Sequence, residues 1–492
     1  MKTVNISTNR TASSYIAGGW VSPENGTIHE TTDPGRGGAA VASYTLATHE
    51  DARLAITAAR DAASAWGATT ANERMELVYA LLEKWPTRQQ EMAEIVTREM
   101  GKVFSESFGE SSRAVMEMRF WAGEALRLGD RTFSSVRSKT DAYSIRQPIG
   151  PVAAITPWNF PILTPIRKVI PALVCGCPVI LKPALESPGA SVILAELLHE
   201  IGVPPGVFNL LLGRGREVGE TLVGSPDVAG ITFTGSTDVG LGIAATAAQR
   251  NARTQLEMGG KNAAVVSAVS DVERVANEIA TAAFTAAGQR CTAISRVIVT
   301  EDLRSRLEEA LVHEARAFTV GYGLDEGSRM GPLVNDSQYT QVHQYVEQAT
   351  GEGAKVLLGG LPLEAPEVDE GNYYPATVVT DVAPGSPLAV DEVFGPVLAV
   401  IPVADFDQAI AVANETRYGL TSAVFTDDMD LAHRFVTQVR SGMVHVNHGT
   451  NSEGHIPFGG VAQSGQGAYG IGDTSKEFFT NLKIVYQVYG QE

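Results

Sequence analysis

The stretch Gly150–Lys182 reads GPVAAITPWNFPILTPIRKVIPALVCGCPVILK, and it begins and ends with short apolar runs typical of buried strands. Four such runs follow one another along the chain: Val152–Thr156, Pro178–Lys182, Val207–Leu212 and Gly230–Phe233. Helical patterns separate them, for example Ser191–Ile201. Strands that alternate with helices predict an α/β fold built on a parallel sheet covered on both faces.

A second α/β region is predicted downstream of the first. Its strands are expected at Asn262–Val266, Ser295–Val299 and Val397–Val403. Before Gly150, Glu50–Gly101 and Arg113–Leu128 have apolar residues at helical spacing, whereas Thr132–Gln147 favours a projecting pair of strands. The final strand, Lys483–Val488, has no obvious partner in either sheet, so it is either an edge strand or a strand that pairs with a neighbouring subunit.

Bulk composition excludes several classes of protein. With 492 residues the chain is too long for one ordinary core, so two or three domains are expected. A net charge of −18 argues against nucleic acid or an anionic membrane as a partner, since both need basic patches. The longest apolar run, Val169–Leu181, is too short to span a bilayer.

The three cysteines point to a reducing compartment. Cys175, Cys177 and Cys291 are too few for a disulfide framework, and Met1–Arg10 is polar without an apolar signal core. We therefore expect a cytoplasmic protein. No further ligands follow the Cys175 and Cys177 pair, so core packing rather than a metal site is expected there.

Two motifs carry residue types that suit covalent catalysis. In Gly288–Cys291 (GQRC) the glycine lets the chain bend tightly and present a thiolate beside a backbone N–H. A lone buried cysteine is more often structural. In Glu257–Lys261 (EMGGK) a strand end places a carboxylate before two glycines, which suits a general base. A solvated carboxylate before a turn is the alternative.

Two further motifs follow predicted strands. Thr156–Pro161 (TPWNFP) presents the amide of Asn159, which either stabilises an oxyanion or caps the turn. Phe233–Thr237 (FTGST) runs from a strand into a helix, whose first N–H groups suit a pyrophosphate. The glycines of Gly213–Gly219 depart in spacing from the dinucleotide fingerprint and are interpreted as a turn.

Together the motifs and their order resemble the aldehyde dehydrogenase superfamily along nearly the whole chain. The matching segments are Thr156–Pro161, Leu181–Pro183, Phe233–Gly240, Glu257–Lys261, Gly288–Cys291, Glu392–Pro396 and Pro457–Gly460. The resemblance implies a Rossmann-like NAD(P)-binding domain (1–131 and 148–257), an α/β catalytic domain (258–473) and small oligomerisation strands (132–147 and 474–492). It also implies a homodimer or homotetramer that acts on a small-molecule aldehyde.

The same resemblance assigns the catalytic roles. Cys291 is implied to be the nucleophile, while Asn159 and the Cys291 backbone N–H hold the oxyanion of a thiohemiacetal. Hydride passes to the nicotinamide and leaves a thioester, which water activated by Glu257 hydrolyses. Glu257 argues against acylating relatives that use coenzyme A, and the three residues together argue against a non-enzymatic member of the fold.

NAD or NADP is the implied cofactor. Its implied binding residues are Thr156, Pro157, Trp158, Lys182, Gly235, Ser236, Glu392 and Phe394. Lys182 is expected at the adenosine ribose and Glu392 at the nicotinamide ribose. Strongly NAD-selective relatives carry a glutamate where this chain has Leu185, so both cofactors are expected to work. Arg214 or Arg216 is a candidate contact for a 2′-phosphate.

Substrate-binding candidates are Arg167, Ser452 and Arg290. Arg167 lies eight residues after Asn159, where the dehydrogenases of succinate and 2-oxoglutarate semialdehyde, which this chain resembles, bind the distal carboxylate with an arginine. Ser452 matches a serine that assists it, and a guanidinium with a hydroxyl suits a carboxylate. A second arginine of those enzymes is Thr285 here, and Arg290 does not simply replace it. An internal salt bridge of Arg167 would favour an aromatic or general aliphatic aldehyde instead.

Overall fold

The computed structural model describes residues 10–129, 131–363 and 370–490. The polar segment Met1–Arg10 therefore lies outside the described residues except for its last member. Two large sheets dominate the fold, and the chain passes from one to the other between Glu257 and Asn262. Within the described part of the chain, no helix is both long and apolar enough to cross a bilayer.

The strands and helices of the described residues are numbered in chain order. The strands are β1 Arg10–Ala12, β2 Ser14–Ile16, β3 Gly19–Val21, β4 Ile28–Asp33, β5 Ala39–Thr45, β6 Thr132–Phe133, β7 Thr140–Pro148, β8 Val152–Ile155, β9 Val179–Lys182, β10 Phe208–Leu210, β11 Gly230–Thr234, β12 Arg253–Glu257, β13 Asn262–Val266, β14 Ile294–Thr300, β15 Lys355–Leu358, β16 Thr377–Thr380, β17 Val397–Val403, β18 Thr421–Phe425, β19 Met443–Val446, β20 Gly465–Gln466 and β21 Thr480–Val488. The α-helices are α1 His49–Gly67, α2 Ala71–Lys84, α3 Gln89–Met100, α4 Phe104–Ala125, α5 Leu163–Val174, α6 Gly189–Glu200, α7 Glu220–Gly224, α8 Thr237–Ala248, α9 Val272–Phe284, α10 Glu301–Arg316, α11 Asp336–Gly351, α12 Pro387–Val390, α13 Phe406–Asn414, α14 Met429–Gln438 and α15 Lys476–Phe479.

The first large sheet has the order β20-β12-β11-β8-β9-β10-β2-β3, and its middle strands β8 to β12 are parallel. Successive residues of one strand point to opposite faces. Val152 and Ala154 of β8 accordingly belong to one apolar cluster, with α5 and α6, whereas Ala153 belongs to another, with α1 and α8. Both faces are therefore covered, and the predicted α/β fold is confirmed.

The second large sheet has the order β15-β16-β17-β14-β13-β18-β19, and every pairing except β15 with β16 is parallel. Its strands β13 and β17 have the bounds expected from the sequence. β20 lies after this sheet in the chain but pairs with β12 of the first one. The division into domains stays a prediction.

A small sheet, β21-β7-β6, carries the C-terminal strand. β21 pairs antiparallel with β7 from Thr480 to Val488, so this strand has a partner within its own chain. It nevertheless lies at the edge of that sheet. Another small sheet, β1-β5-β4, lies in a region where no strand was predicted from the sequence.

Helix α4 is longer than expected, because it begins at Phe104 rather than at Arg113. Its first turns contain glycine and serine, which are weak helix formers. Tertiary hydrogen bonds compensate, since Glu106 accepts one from the backbone N–H of Ala286 and Glu110 accepts one from that of Ile162 (both 2.8 Å). The start of α4 therefore depends on long-range contacts.

Candidate active site

A cavity of about 340 Å³ is lined by Thr234 and Glu257 of the first large sheet and by loops that adjoin the second sheet. Cys291, Glu257 and Asn159 all line it, although they lie far apart in the sequence. We call these three residues and the loops that carry them the cysteine end of the cavity.

The loop before Cys291 has a strained backbone. Residues 286–288 are all left-handed, with φ values of 56°, 53° and 67°. A Cβ on Gly288 would lie 2.2 Å from the carbonyl oxygen of Gly395, so only glycine fits this position. Each left-handed alanine costs about 1 kcal/mol, and the bond from Glu106 of α4 helps to hold this conformation.

Cys291 presents both its thiol and its backbone N–H. The thiol is partly exposed to the cavity, and the carbonyl oxygen accepts a 2.7 Å hydrogen bond from Nδ2 of Asn262. Among the described residues, no hydrogen bond uses the Cys291 N–H, which is therefore available to an oxyanion. Burial, followed by the negative charges of Glu392 and Glu257, raises the pKa of Cys291 to about 12. The thiol therefore needs a proton acceptor before it attacks.

Asn159 lies in the turn after β8 and is buried. Its Nδ2 donates to the carbonyl oxygen of Gln289 over 2.9 Å, which leaves the second amide N–H for a ligand. The side chain of Gln289 is itself held, because its Oε1 accepts a 3.0 Å bond from the N–H of Val334. The cysteine loop and Asn159 are thus fixed to each other.

Glu257 ends β12 and is almost fully buried. Its Oε2 makes no hydrogen bond. Burial raises the pKa of Glu257 to about 8, although the positive charges of Lys168 and Arg167 act to lower it. A carboxyl with this pKa exchanges a proton near neutral pH, as a general base requires. The sequence did not identify Lys168, which lines the cavity and donates to Thr232 (2.9 Å).

The two glycines after Glu257 bring a second carboxylate close. A Cβ on Gly259 would lie 2.1 Å from Oε2 of Glu392, and Oε1 of Glu392 accepts a 2.9 Å bond from the N–H of Gly260. Burial raises the pKa of Glu392 to about 7, against the opposing effects of the Gly260 N–H and of Lys261. Close packing of Glu392 explains the glycine at 259, whereas a Cβ on Gly260 would lie 2.8 Å from the carbonyl oxygen of Cys291.

A second cavity, of about 440 Å³, shares residues with the first. Predicted cofactor residues line one or both cavities: Thr156, Pro157, Trp158, Lys182, Gly235, Ser236, Glu392 and Phe394. Oγ1 of Thr156 is buried without a partner, and Ser236 precedes α8 without a side-chain capping bond. The first N–H groups of α8 are thus free for a phosphate. Burial lowers the pKa of Lys182 to about 8.

The Gly213–Gly219 segment contributes to the second cavity, which its interpretation as a turn did not predict. Gly213, Arg214 and Gly215 line the second cavity, and so do Leu185 and Glu186. The sequence did not predict this wall of the second cavity, because the spacing of the glycines matches no dinucleotide fingerprint.

Phe394, which lines the first cavity, is held against Trp158, which lines both cavities. Their rings meet edge to face with centroids 5.5 Å apart. Phe394 is left-handed (φ 57°). Gln338, which the sequence did not identify, donates to the carbonyl oxygens of Val393 (2.9 Å) and Phe394 (3.0 Å) and so fixes this conformation.

We call a second group of side chains the arginine end. It comes from α4, α5 and the loop after β19 and consists of Arg113, Glu117, Arg167 and Ser452. Arg167 binds Glu117 through Nη2 (2.8 Å) and Nε (3.0 Å), and both side chains are largely buried. This is the internal salt bridge that the sequence left open. Nη2 of Arg113 donates to the carbonyl oxygen (2.9 Å) and to Oγ (3.1 Å) of Ser452.

Arg290 also lines the cavity, and its guanidinium is partly engaged. Nη2 donates to the carbonyl oxygen of Ala282, while Nε is buried without a partner. Burial lowers the pKa of Arg290, and the charge of Glu106 opposes that shift. Thr285, six residues before Cys291, is not among the residues that line this cavity.

One face of α4 reaches the site at four positions, none of which the sequence analysis identified. Glu106, Glu110, Arg113 and Glu117 follow the spacing of four, three and four that places side chains on one helical face. That spacing of charges was visible in the sequence, but a solvent-exposed helix shows the same pattern. Only the packing of α4 against α5 separates the two cases.

Comparisons with known proteins agree with this geometry. The model of the aldehyde dehydrogenase family matches residues 20–485. The chain is 36% identical to the alpha-ketoglutaric semialdehyde dehydrogenase of Bacillus subtilis, over 98% of this chain and 99% of that protein. It is 38% identical to the alpha-ketoglutarate semialdehyde dehydrogenase of Haloferax volcanii, over 96% and 98% of the two chains.

Solved structures share the fold over almost the whole chain. A betaine aldehyde dehydrogenase from Staphylococcus aureus in complex with NAD+ superposes with a TM-score of 0.94 at 30% identity. The match covers 98% of this chain and 95% of that one.

Proposed function

The chain belongs to the aldehyde dehydrogenase family, and from that premise we propose that it oxidises a short aldehyde with a distal carboxylate through a thioester on Cys291. Oxidation of an aldehyde with NAD(P) is the activity of this family of enzymes. The observation that carries the finer proposal is one cavity lined by a cysteine, a carboxyl and an amide and also by three guanidinium groups.

In the first step, the thiolate of Cys291 attacks the aldehyde carbon and forms a thiohemiacetal. The free amide N–H of Asn159 and the backbone N–H of Cys291 stabilise the oxyanion. NAD(P), when bound, accepts the hydride that the thiohemiacetal releases, and a thioester remains on the cysteine. Because burial keeps the resting Cys291 protonated, the thiol proton passes to water before the attack.

In the second step, Glu257 takes a proton from water, which attacks the thioester and releases the acid. Lys168 and Arg167 favour the ionised form of Glu257, and burial opposes it. The balance supports a base that is partly ionised at neutral pH. The same carboxyl supports hydrolysis rather than acyl transfer to coenzyme A.

The second cavity fits a dinucleotide. The free N–H groups after Ser236 suit the pyrophosphate, and the buried Thr156 hydroxyl has no partner among the described residues. We assign Lys182 to the adenosine ribose and Glu392 to the nicotinamide ribose. Leu185 carries no carboxylate that would repel a 2′-phosphate, and Arg214 lies in the same wall, so we propose that both NAD and NADP are used.

The proposal of an acidic substrate rests on the positive charges that line the cavity and on the names of the relatives. Arg113, Arg167 and Arg290 all line the cavity, and a carboxylate binds a guanidinium well. Relatives from Bacillus subtilis, Haloferax volcanii and Pseudomonas putida are named for oxoglutarate or glutarate semialdehydes. An aldehyde with a carboxylate three or four carbons away is therefore our choice.

An aromatic or general aliphatic aldehyde is the second candidate. The salt bridge of Arg167 with Glu117 favours it, because that guanidinium is largely compensated. Phe458 also contributes an aromatic surface, with its ring 5.4 Å from the Arg167 guanidinium carbon. The unpaired charge of Arg113 weighs against an apolar substrate.

Initial rates with both cofactors test the proposal. Succinate semialdehyde, 2-oxoglutarate semialdehyde, hexanal and benzaldehyde are compared with wild-type protein. A higher kcat/KM for the two acidic aldehydes supports the semialdehyde assignment. Equal or better values for hexanal and benzaldehyde would leave only the general chemistry.

We also propose that the chain acts as a homodimer or homotetramer in the cytoplasm. The unpaired outer edge of β21 suits pairing with a neighbouring subunit, which is one of the two roles expected for this strand. Size-exclusion chromatography with light scattering measures the subunit number directly.

A further inference from the structure

We propose that Arg113, oriented by Ser452, binds the distal carboxylate of the aldehyde, and that Glu117 keeps Arg167 from that role. This inference rests on the proposed function, since it names the residue that recognises the acidic substrate. Arg113 was not among the site residues expected from the sequence.

The two α4 carboxylates that act on Arg113 are each bound to another cation. Glu110 binds Nζ of Lys102 over 2.6 Å, and Glu117 binds Arg167 over 2.8 Å. Among the described residues, Arg113 forms no ion pair with a carboxylate, so it is the uncompensated charge of these five. A buried or half-buried charge is costly without a partner. A bound carboxylate supplies the missing one.

The carboxylates nearest to Arg113 are already engaged. Both Glu117 and Glu110 act on the pKa of Arg113, but each has its own cation. Oε1 of Glu110 also accepts the N–H of Leu163 at the start of α5 (2.9 Å). Neither carboxylate is free to turn toward Arg113. The guanidinium stays positive at neutral pH, and Arg113 lines the cavity.

Ser452 fixes the direction of the guanidinium. One nitrogen, Nη2, donates to both the carbonyl oxygen and the hydroxyl of Ser452. No other hydrogen bond of Arg113 occurs within residues 10–129, 131–363 and 370–490, so the N–H groups of Nε and Nη1 remain available to a carboxylate oxygen. Ser452 thereby acts through Arg113 as a positioning residue.

Arg167 differs from Arg113 because its guanidinium is paired with a carboxylate. Its Nε and Nη2 both bind Glu117, whose side chain is only 3% exposed. Gly454 allows the loop to close over this pair, because a Cβ there would lie 2.4 Å from Cγ of Glu117. Arg167 therefore supports the wall and acts on the charge of Glu257, whereas Arg113 offers the free guanidinium.

The test compares succinate semialdehyde with butanal, a neutral aldehyde of equal length, in wild-type protein and in variants. Arg113→Met should lower the acid-to-neutral ratio of kcat/KM about 10- to 100-fold, mainly through KM for the acid. Arg113→Lys should recover part of the loss, and Ser452→Ala should lower the ratio about two- to fivefold. Arg119→Met, exposed on α4, is the matched control and should leave the ratio unchanged.

Three results would overturn the inference. One is an unchanged ratio in Arg113→Met together with a large fall in Arg167→Met. Another is an equal loss for both aldehydes in Arg113→Met, which indicates a purely structural role; thermal melting and Arg113→Lys separate this from misfolding. A wild-type protein without preference for the acid contradicts the proposed function as well, and is recognised before any variant is made.

Discussion

Backbone geometry limits which residues can form the cysteine end of the cavity, whereas contacts between charged and polar side chains form the arginine end. Around Cys291, left-handed residues and a glycine in contact with the Gly395 carbonyl set the geometry. At the other end, Arg167 and Arg113 are placed by Glu117 and by a loop serine. Backbone geometry permits few residue types at a position, whereas a charge pair permits many arrangements.

This difference explains why sequence motifs identify the residues that carry out the reaction but not the residues that select the substrate. Motifs around Cys291 and Glu257 keep their order and spacing because each residue has a fixed backbone task. At the arginine end, we expect the change of one helix residue to alter specificity with little effect on the backbone. We expect the two ends to respond differently to mutation.

The largest effect is expected at the cysteine end from Cys291→Ala. Loss of the nucleophile should reduce kcat with any aldehyde by at least about 1000-fold, with little change in cofactor binding. Initial rates and a cofactor titration measure both. Cys175→Ala, in the core, is the control and should retain activity. Substantial turnover in Cys291→Ala would exclude the thioester.

Glu257→Gln should divide the reaction into its two steps. We expect a burst of reduced cofactor of about one per active site, then a steady rate about 100-fold below wild type. Because burial raises the pKa of Glu257 to about 8, only about a tenth of this base is ionised at pH 7, and it becomes fully ionised above pH 9. Wild-type deacylation should therefore rise about tenfold from pH 7 to above pH 9. A variant without a burst would move Glu257 to the acylation step.

Gly288→Ala tests whether backbone geometry governs the cysteine end. The added Cβ would lie 2.2 Å from the Gly395 carbonyl oxygen, so we expect a roughly 30-fold lower kcat and about 1–3 kcal/mol less unfolding free energy. Gly202→Ala is the matched control, since Gly202 is also left-handed (φ 76°) but has nothing within 4 Å. Equal losses of activity in both variants would contradict the role of the close approach.

Glu117→Gln should have the smallest effect on turnover and should sharpen the comparison at the arginine end. Removing the partner frees Arg167, so KM for succinate semialdehyde should fall about threefold while KM for butanal stays constant. The unfolding free energy should fall by about 1–3 kcal/mol, because Arg167 is largely buried. Steady-state kinetics and denaturant unfolding measure the two. A higher KM for the acid would mean that the pair itself shapes the acid site.

Several elements were determined by local sequence. β13 and β17 have the predicted bounds, because an apolar run bounded by turn residues leaves few alternatives to a buried strand. Glu257, Cys291 and Asn159 were identified from motifs, and all three line one cavity. The parallel arrangement of the first sheet followed from the alternation of strands and helices.

Other features depended on contacts between distant segments. The first turns of α4 contain weak helix formers, and the bonds that hold them come from residues far along the chain. Asn262 and Gln338 fix the loops of Cys291 and Phe394, but polar residues of this kind occur in many turns. No local pattern distinguishes them.

The sequence by itself thus determined the α/β fold, the family and the residues of the cysteine end, because each depends on local backbone requirements. Only the tertiary structure decided which arginine is compensated. Glu117 lies 50 residues from Arg167 in the chain, and Ser452 lies 339 residues from Arg113. Charge pairing across such separations depends on how helices and loops pack, so it cannot be predicted from the residues that neighbour each arginine in the chain.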